Sequence, residues 1–211
     1  MCIRDRFHAI TGSDLLHDVL AGLEEAKRVG LAPIKLNVVV MRGVNDDEIR
    51  RLAELTNDNP LHVRFIELMP VKHWDSAEYR KRFMSVDAMM QRIPSLPSAH
   101  LGFAKDTTGP AQMYTLPKAK GRVGFIAPLS WHFCGSCNRL RTTVDGKIRS
   151  CLFSEHELDF KTALRKGATP FELIRILRQS VEQKPRRHYL VGGARRIREA
   201  DRRRGMYAIG G

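Results

Sequence analysis

Three cysteines that lie close together in the sequence are the residues best suited to metal chemistry. Cys134, Cys137 and Cys151 have the spacing C-x2-C-x13-C. An Asp-Gly pair between two β-prone segments is a strong hairpin signal, so Asp145 and Gly146 predict a turn that returns Cys151 to the other two cysteines. Because thiolates are strong ligands for zinc and for iron–sulfur clusters, this spacing indicates a metal site rather than free buried thiols.

The number of thiolates narrows the kind of metal site without deciding it. A structural zinc site needs four ligands, and His132 or His156 would have to supply the fourth. A four-iron cluster held by three cysteines instead leaves one iron open to a substrate or to water. The spacing of the cysteines is compatible with both.

Two arginines follow the first two cysteines. Arg139 and Arg141 lie two apart in a segment, 139–144, that we predict to be a strand, so both side chains should project from one face. Paired guanidinium groups beside an open metal site suit bidentate binding of phosphate. The alternative is that both arginines lie on the solvated face of an exposed hairpin.

The charge of the chain is compatible with an anionic ligand. There are 36 Lys and Arg against 23 Asp and Glu, which gives a formal net charge of +13. Much of the excess is in residues 161–211, which hold 14 basic and 4 acidic residues. Such a surplus suits a solvated arm, a nucleic acid or a polyphosphate. A zinc-stabilised module that binds nucleic acid through its arginine-rich tail is therefore one alternative function.

The composition excludes several classes of protein. With 43% hydrophobic and 28% charged residues, the chain can bury a core and is not disordered throughout. Four cysteines are too few for a disulfide scaffold. No apolar segment approaches the roughly 20 residues that a membrane helix needs. We therefore expect a cytoplasmic protein with no membrane partner.

The elements that position these residues alternate between helix and strand in the first third of the chain. Apolar residues from Leu15 to Ala26 recur at three- and four-residue intervals, which predicts an amphipathic helix capped by Ser13 or Asp14. Strands are predicted at 34–41 and 62–69. Between the strands we predict a helix with an apolar stripe of Ile49, Leu52, Ala53 and Leu55.

This alternation indicates an α/β fold with a parallel sheet, either open or rolled into a barrel, whose ligands meet the carboxyl ends of the strands. The first strand shows little alternation of polarity, so we expect it to be buried on both faces. Lys35 and Arg64 are then unusual, because a charged residue in a buried strand is either paired or faces a ligand. An ion pair between Lys35 and Glu67 is the alternative to a ligand.

The remaining elements are shorter. We predict a helix at 86–93, strands at 111–116 and 122–127, and a helix at 169–182 that begins with Thr169 as its cap and Pro170 in its first turn. In that last helix the residues expected to face inward are Phe171, Leu173, Ile174 and Leu177.

Several motifs, in one order, resemble those of the radical S-adenosylmethionine GTP 3′,8-cyclases of molybdenum cofactor biosynthesis. The resemblance runs from about Phe7 to the last residue. Its motifs are Ile10-Thr-Gly, Lys35-Leu-Asn, Arg42-Gly-Val-Asn-Asp-Asp-Glu48, Arg64-Phe-Ile-Glu-Leu-Met-Pro70, Phe133-Cys-Gly-Ser-Cys-Asn-Arg-Leu-Arg141 with Cys151, and the closing Ile209-Gly-Gly211.

The resemblance implies a fold and a division of the chain. The fold would be the C-terminal part of an incomplete (β/α)6 barrel of the triosephosphate-isomerase type, followed by a segment that carries an iron–sulfur cluster. Residues 7–100 would belong to the barrel and residues 101–211 to the C-terminal segment. Residues 1–6 match neither part, and we expect them to be a leader foreign to the protein.

The resemblance also implies roles for individual residues. Cys134, Cys137 and Cys151 would ligate a second [4Fe-4S] cluster, whose open iron binds the guanine of GTP. Met69 matches a position that touches S-adenosylmethionine, and Gly210 and Gly211 match a tail that reaches into the active site and is needed for turnover. The nucleotide itself would be contacted by Lys35, Arg64, Arg139, Leu140 and Arg141.

The implied reaction begins at a first cluster, held by a C-x3-C-x2-C motif, which cleaves S-adenosylmethionine. The 5′-deoxyadenosyl radical takes the 3′ hydrogen of GTP, and the product is 3′,8-cyclo-7,8-dihydroguanosine 5′-triphosphate. That motif is absent, because the remaining cysteine is Cys2. We therefore expect the C-terminal two thirds of a longer enzyme, inactive alone, whose partners are GTP, S-adenosylmethionine and an unidentified reductant. A homodimer fits this reading, and a nucleic-acid partner does not.

Overall fold

A computed structural model describes residues 3–70, 76–96, 100–101, 109–154, 156–188 and 208–209. The helices in these ranges are α1 (Ile3–Thr11), α2 (Leu16–Arg28), α3 (Ile49–Asp58), α4 (Ser76–Arg82), α5 (Val86–Met90), α6 (Phe160–Arg165) and α7 (Pro170–Glu182). The strands are β1 (Ile34–Val40), β2 (Leu61–Glu67), β3 (His100–Leu101), β4 (Gln112–Thr115), β5 (Arg122–Ile126), β6 (Arg141–Thr142), β7 (Lys147–Arg149) and β8 (Glu157–Asp159).

The main sheet has five strands in the order β1-β2-β5-β4-β3. β1, β2 and β5 are parallel, while β4 and β3 continue the sheet in antiparallel pairs. The predicted α/β class with parallel pairing is therefore confirmed. The barrel closure implied by the resemblance stays a prediction.

One face of this sheet carries the main hydrophobic core. Its alternate residues, among them Val63, Phe65, Val123 and Phe125, are at most 1% exposed and pack against apolar side chains of α3 and α5. Fully burying such side chains contributes about 1.5–3 kcal/mol each. This apolar face therefore holds the helices to the sheet.

The opposite face of the sheet is exposed at β1, so the prediction that this strand is buried on both faces is wrong. The strand alternates, with Lys35, Asn37 and Val39 exposed and Val40 buried. β1 is an edge strand of the described sheet and has β2 on one side only. The apolar residues of β1 would allow both of its faces to be buried. However, no described element covers the face that carries Lys35, Asn37 and Val39.

Helix α2 shows the same difference between pattern and burial. It forms where the apolar periodicity predicts a helix, but none of its residues is buried. Val19 and Leu20 in the helix, and Leu15 just before it, are more than half exposed. It also begins one residue after Leu15 and lacks the predicted side-chain cap from Ser13 or Asp14. In α3, Leu55 is 40% exposed although its spacing predicts burial.

A second, three-stranded sheet has the order β6-β7-β8. The predicted hairpin is confirmed, since β6 and β7 are antiparallel and Gly146 has a φ of +80° in the turn between them, a region that favours glycine. In α7, Thr169 and Glu172 form a reciprocal capping box. Leu173 and Leu177 are partly buried, but Phe171 and Ile174 are exposed, contrary to prediction.

At the start of the described chain, residues 3–6 belong to α1. Arg6 donates to both carboxylate oxygens of Asp47, at 2.9 and 3.1 Å. The foreign origin of the leader and the division at residue 100 stay predictions. Within the described ranges no helix combines the length and the apolar character needed to cross a membrane.

Candidate functional site

The cysteine segment follows the carboxyl end of β5. Residues Cys134–Ser136 form one turn of 3-10 helix, and the backbone N–H of Cys137 donates to the carbonyl of Cys134 at 3.2 Å. Cys151 lies two residues after β7, on the returning arm of the hairpin. All three cysteines are free thiols and partly buried. The hairpin therefore returns Cys151 toward the first two cysteines, as its turn predicts.

The three thiols lie close enough together to affect the pKa of Cys151. Burial raises the pKa of Cys151, and the nearby Cys134 and Cys137 raise it further. Burial alone would also raise the pKa of Cys137. However, the backbone N–H of Arg139 and the ammonium group of Lys184 stabilise the thiolate, and the pKa falls below its ordinary value of 9.0. In the described part of the chain, no three or more His, Cys, Asp or Glu side chains are grouped so that they could ligate a single metal ion.

Lys184 is a site residue that the sequence does not reveal. It lies just beyond the end of α7, and its Nζ donates to the Sγ of Cys137 at 3.3 Å and to the carbonyl of Arg139 at 2.7 Å. In the sequence it is one of many cations in a basic segment, 47 positions from Cys137. Only the packing of α7 against the second sheet distinguishes it from those cations.

The two arginines of this segment differ in their surroundings. Arg139 is exposed and lies before β6, so its predicted place in a strand is wrong. Its guanidinium group lies 4.9 Å from the ring centroid of Phe133, within cation–π range. Arg141 is partly buried in β6. Burial and Arg139 lower its pKa, while the thiols of Cys151 and Cys137 favour its charged form.

Two other predicted residues also differ in setting. Leu140, between the arginines, is 36% exposed. Met69 lies two residues beyond the end of β2 and packs against the buried cluster of Leu68, Tyr79 and Phe153, against which Cys151 also packs. The structure therefore places Met69 and the third cysteine beside one cluster. Gly210 and Gly211 lie outside the described residues.

Lys35 and Arg64 lie on the face of the sheet opposite the core. Arg64 donates from Nε to the side-chain oxygen of Asn37 at 3.0 Å, and burial lowers its pKa. An ideal Cβ on Gly124 would lie 2.5 Å from the Sδ of Met113 and 3.1 Å from the Cγ of Arg64, so the glycine on β5 leaves space for both side chains. The position of Arg64 therefore depends on a residue of the neighbouring strand.

Glu67 does not pair with Lys35, so that interpretation is wrong. It is fully buried on the core face and accepts hydrogen bonds from the backbone N–H groups of Val86, Leu129 and Ser130 at 2.9–3.1 Å, and from the Ser130 hydroxyl. This carboxylate joins β2 to the start of α5 and to the segment that leads from β5 toward the cysteines.

Two adjoining cavities connect the cationic face with the cysteine segment. A larger one of about 790 Å³ is lined by Lys35 and Arg64, and a smaller one of about 210 Å³ by Phe133 and Ser136. Gly109 and Ala111 line both. The larger cavity extends to the amino-terminal ends of the parallel strands, whereas the sequence predicts ligands at their carboxyl ends.

Together these features describe an α/β protein whose cationic sheet face adjoins a segment with three free thiols. Residues 61–190 match the sequence model of a protein family described as Molybdenum Cofactor Synthesis C. The chain belongs to this family.

Curated relatives match this chain beyond residues 61–190. The two described below are both named GTP 3′,8-cyclase. The protein of Alkaliphilus metalliredigens is 46% identical over 186 residues, which cover 88% of this chain and 56% of the relative. That of Heliobacterium modesticaldum is 44% identical over 209 residues, which cover 98% of this chain and 62% of the relative. The chain thus spans less than two thirds of these relatives, and their names do not support the nucleic-acid-binding alternative.

Proposed function

We propose that this chain forms the substrate-binding part of a GTP 3′,8-cyclase, which converts GTP to 3′,8-cyclo-7,8-dihydroguanosine 5′-triphosphate in molybdenum cofactor biosynthesis. The observation that carries the proposal is the adjoining pair of cavities, which links a cationic sheet face to three free thiols. The identity of 44% to a relative of that name, over 98% of this chain, supports it.

The proposed metal ligands are Cys134, Cys137 and Cys151. Their donor chemistry fits a [4Fe-4S] cluster, since all three are free thiols and Cys137 receives hydrogen bonds of the kind that tune such clusters. When bound, the cluster would supply an open iron that coordinates the guanine base.

The chain's own cations would hold the nucleotide around that position. Arg139 and Arg141 lie beside the thiols, and Leu140 between them offers an apolar contact. Lys35 of β1 and Arg64 of β2 line the adjoining cavity. Charge-assisted hydrogen bonds from these groups would neutralise and orient the triphosphate.

The rest of the proposed active site would need residues of a longer protein, which would supply the first cluster. Met69 would contact S-adenosylmethionine, Gly210 and Gly211 would complete the active site, and the strands would belong to a radical S-adenosylmethionine barrel. The C-x3-C-x2-C motif for the first cluster is not among these 211 residues. This chain would therefore bind substrate without converting it, and the reductant and a dimeric assembly are further parts of the proposal.

Anaerobic reconstitution with iron and sulfide tests the metal assignment. We expect about four irons per chain and a brown protein, and each of Cys134→Ala, Cys137→Ala and Cys151→Ala should lose most of both. Cys2→Ala is the matched control and should keep the cluster. A colourless protein with one zinc per chain would contradict the proposal and favour the nucleic-acid-binding alternative.

GTP binding to the reconstituted chain tests the substrate assignment. GTP should change the electron paramagnetic resonance spectrum of the reduced cluster, and Arg139→Ala with Arg141→Ala should weaken its binding at least tenfold, because two charge-assisted contacts are lost. The control is Arg178→Ala on the exposed surface of α7. Unchanged affinity in the double variant would contradict the assignment.

A further inference from the structure

A row of basic side chains crosses the three parallel strands near their amino-terminal ends. Lys35 of β1 is in register with His62 of β2, and His62 with Arg122 of β5. Neighbouring strands are about 4.8 Å apart, so the three side chains leave the same face of the sheet side by side. An anion bound above His62 would lie between the positive charges of Lys35 and Arg122.

The cavity above this row is lined by cations and by no carboxylate of the described chain. Its basic lining residues are Lys35, His62, Arg64, Lys120 and Arg122. None of them takes part in the ion pairs found among the described residues. Burial lowers the pKa of His62, and Arg122, Lys35 and Arg64 lower it further. The described lining of the cavity therefore carries the positive charges of Lys35, Arg64, Lys120 and Arg122 and no negative charge.

The end of the cavity that carries Arg122 is held in place by the backbone. The N–H groups of Lys120 and Gly121 donate to the carbonyls of Asn57 and Thr56 at the end of α3, at 3.3 and 2.8 Å. A Cβ on Gly121 would overlap the carbonyl oxygen of Leu61, so only glycine allows this approach. Arg122, the first residue of β5, therefore follows a backbone segment that hydrogen bonds attach to the end of α3.

Resting on the proposed function, we propose that His62 and Arg122 form a subsite for the terminal phosphates of the bound nucleoside triphosphate. The base would lie in the smaller cavity near Phe133 and Ser136, and the phosphates would extend past Arg64 into the larger cavity. Arg122 would bind phosphate oxygens through its guanidinium fork, and His62 would donate a hydrogen bond from its ring. Both residues position the ligand and take no part in the chemical step.

Calorimetric titration of the 211-residue chain with inorganic triphosphate, GTP and GMP tests the subsite. Arg122→Gln should weaken the binding of inorganic triphosphate and GTP about tenfold or more, and His62→Asn several-fold, while GMP affinity stays within about twofold. Arg122→Lys should recover part of the loss. Arg51→Gln is the matched control, because it removes the same charge from exposed α3 on the opposite side of the sheet.

The outcomes separate the subsite from the proposed function. If Arg122→Gln leaves the affinities for inorganic triphosphate and GTP unchanged, or weakens GMP equally, the subsite is wrong, whatever Arg139 and Arg141 do. If the chain binds inorganic triphosphate through Arg122 but does not prefer GTP over ATP, the subsite stands and the proposed function fails. Thermal unfolding of each variant verifies that the loss is not one of folding.

Discussion

The two faces of the five-stranded sheet are made by alternate residues of the same strands, yet they differ in burial and charge. On one face Val63, Phe65 and Phe125 are at most 1% exposed beneath α3 and α5. On the other, His62, Arg64 and Arg122 line an open cavity. In most sheets with one open face the polar residues are merely solvated, but here they are basic and are partly buried. We infer that the first face provides stability and the second provides binding.

The largest expected effect concerns Glu67, the buried charge on the apolar face. Glu67→Ala should reduce the free energy of unfolding by about 3 kcal/mol or more, because it leaves the N–H groups of Val86, Leu129 and Ser130 without their acceptor. Glu67→Gln keeps one acceptor oxygen and should lose less. Urea denaturation measures both, and equal losses would mean that charge rather than acceptor number matters.

A matched pair of valines tests the comparison of the faces directly. Val63 is fully buried on the apolar face, while Val39 on the opposite face of the neighbouring strand is 42% exposed. Val63→Ala should lower the free energy of unfolding by about 2 kcal/mol, since two methyl groups leave a packed core, and Val39→Ala by less than about 0.5 kcal/mol. Similar values for the two variants in urea denaturation would break the comparison.

The cationic face should make stability depend on pH through His62. Its pKa in the folded chain lies below its ordinary value of 6.5, so the unfolded chain binds more protons as the pH falls through that value. Stability should be fully present above about pH 6.5 and decline toward pH 5. His62→Asn should make the profile measured by thermal unfolding between pH 5 and 8 less steep, while His188, whose pKa burial also lowers, still contributes in the same direction. An unchanged profile would show that His62 is not the group responsible.

The smallest expected effect on stability belongs to Arg64. Arg64→Gln removes one cation from a repulsive group and one hydrogen bond to Asn37, and we expect a net change within about 0.5 kcal/mol in urea denaturation. Binding of GTP by the same variant should nevertheless fall at least tenfold. A loss of stability as large as that for Val63→Ala would show that Arg64 is structural.

Much of the secondary structure could be predicted from local patterns. The β-branched run before Met41, the Asp145-Gly146 turn and the Thr169 cap each depend on residues close in sequence, and each forms as expected. Burial was harder to predict, since the apolar stripe of α2 shows which side could be covered but not whether anything covers it.

The candidate site also has one part that local sequence patterns predict and another part that they do not. The spacing of the cysteines predicts their return to one place, because a hairpin is a local structure. The contact of Lys184 with Cys137 and the alignment of His62 with Arg122 join residues far apart in sequence. Such contacts depend on strand register and on helix packing, which no local pattern specifies.

The position of β1 at the edge of the sheet has a consequence for how the protein behaves in solution. Its seven residues present an outer row of N–H and C=O groups that no described strand pairs with, and such an edge can recruit a strand from another molecule. A net charge of +13 opposes that encounter at low ionic strength, and salt screens the repulsion. The purified chain should therefore remain dispersed longer in dilute buffer than in concentrated salt.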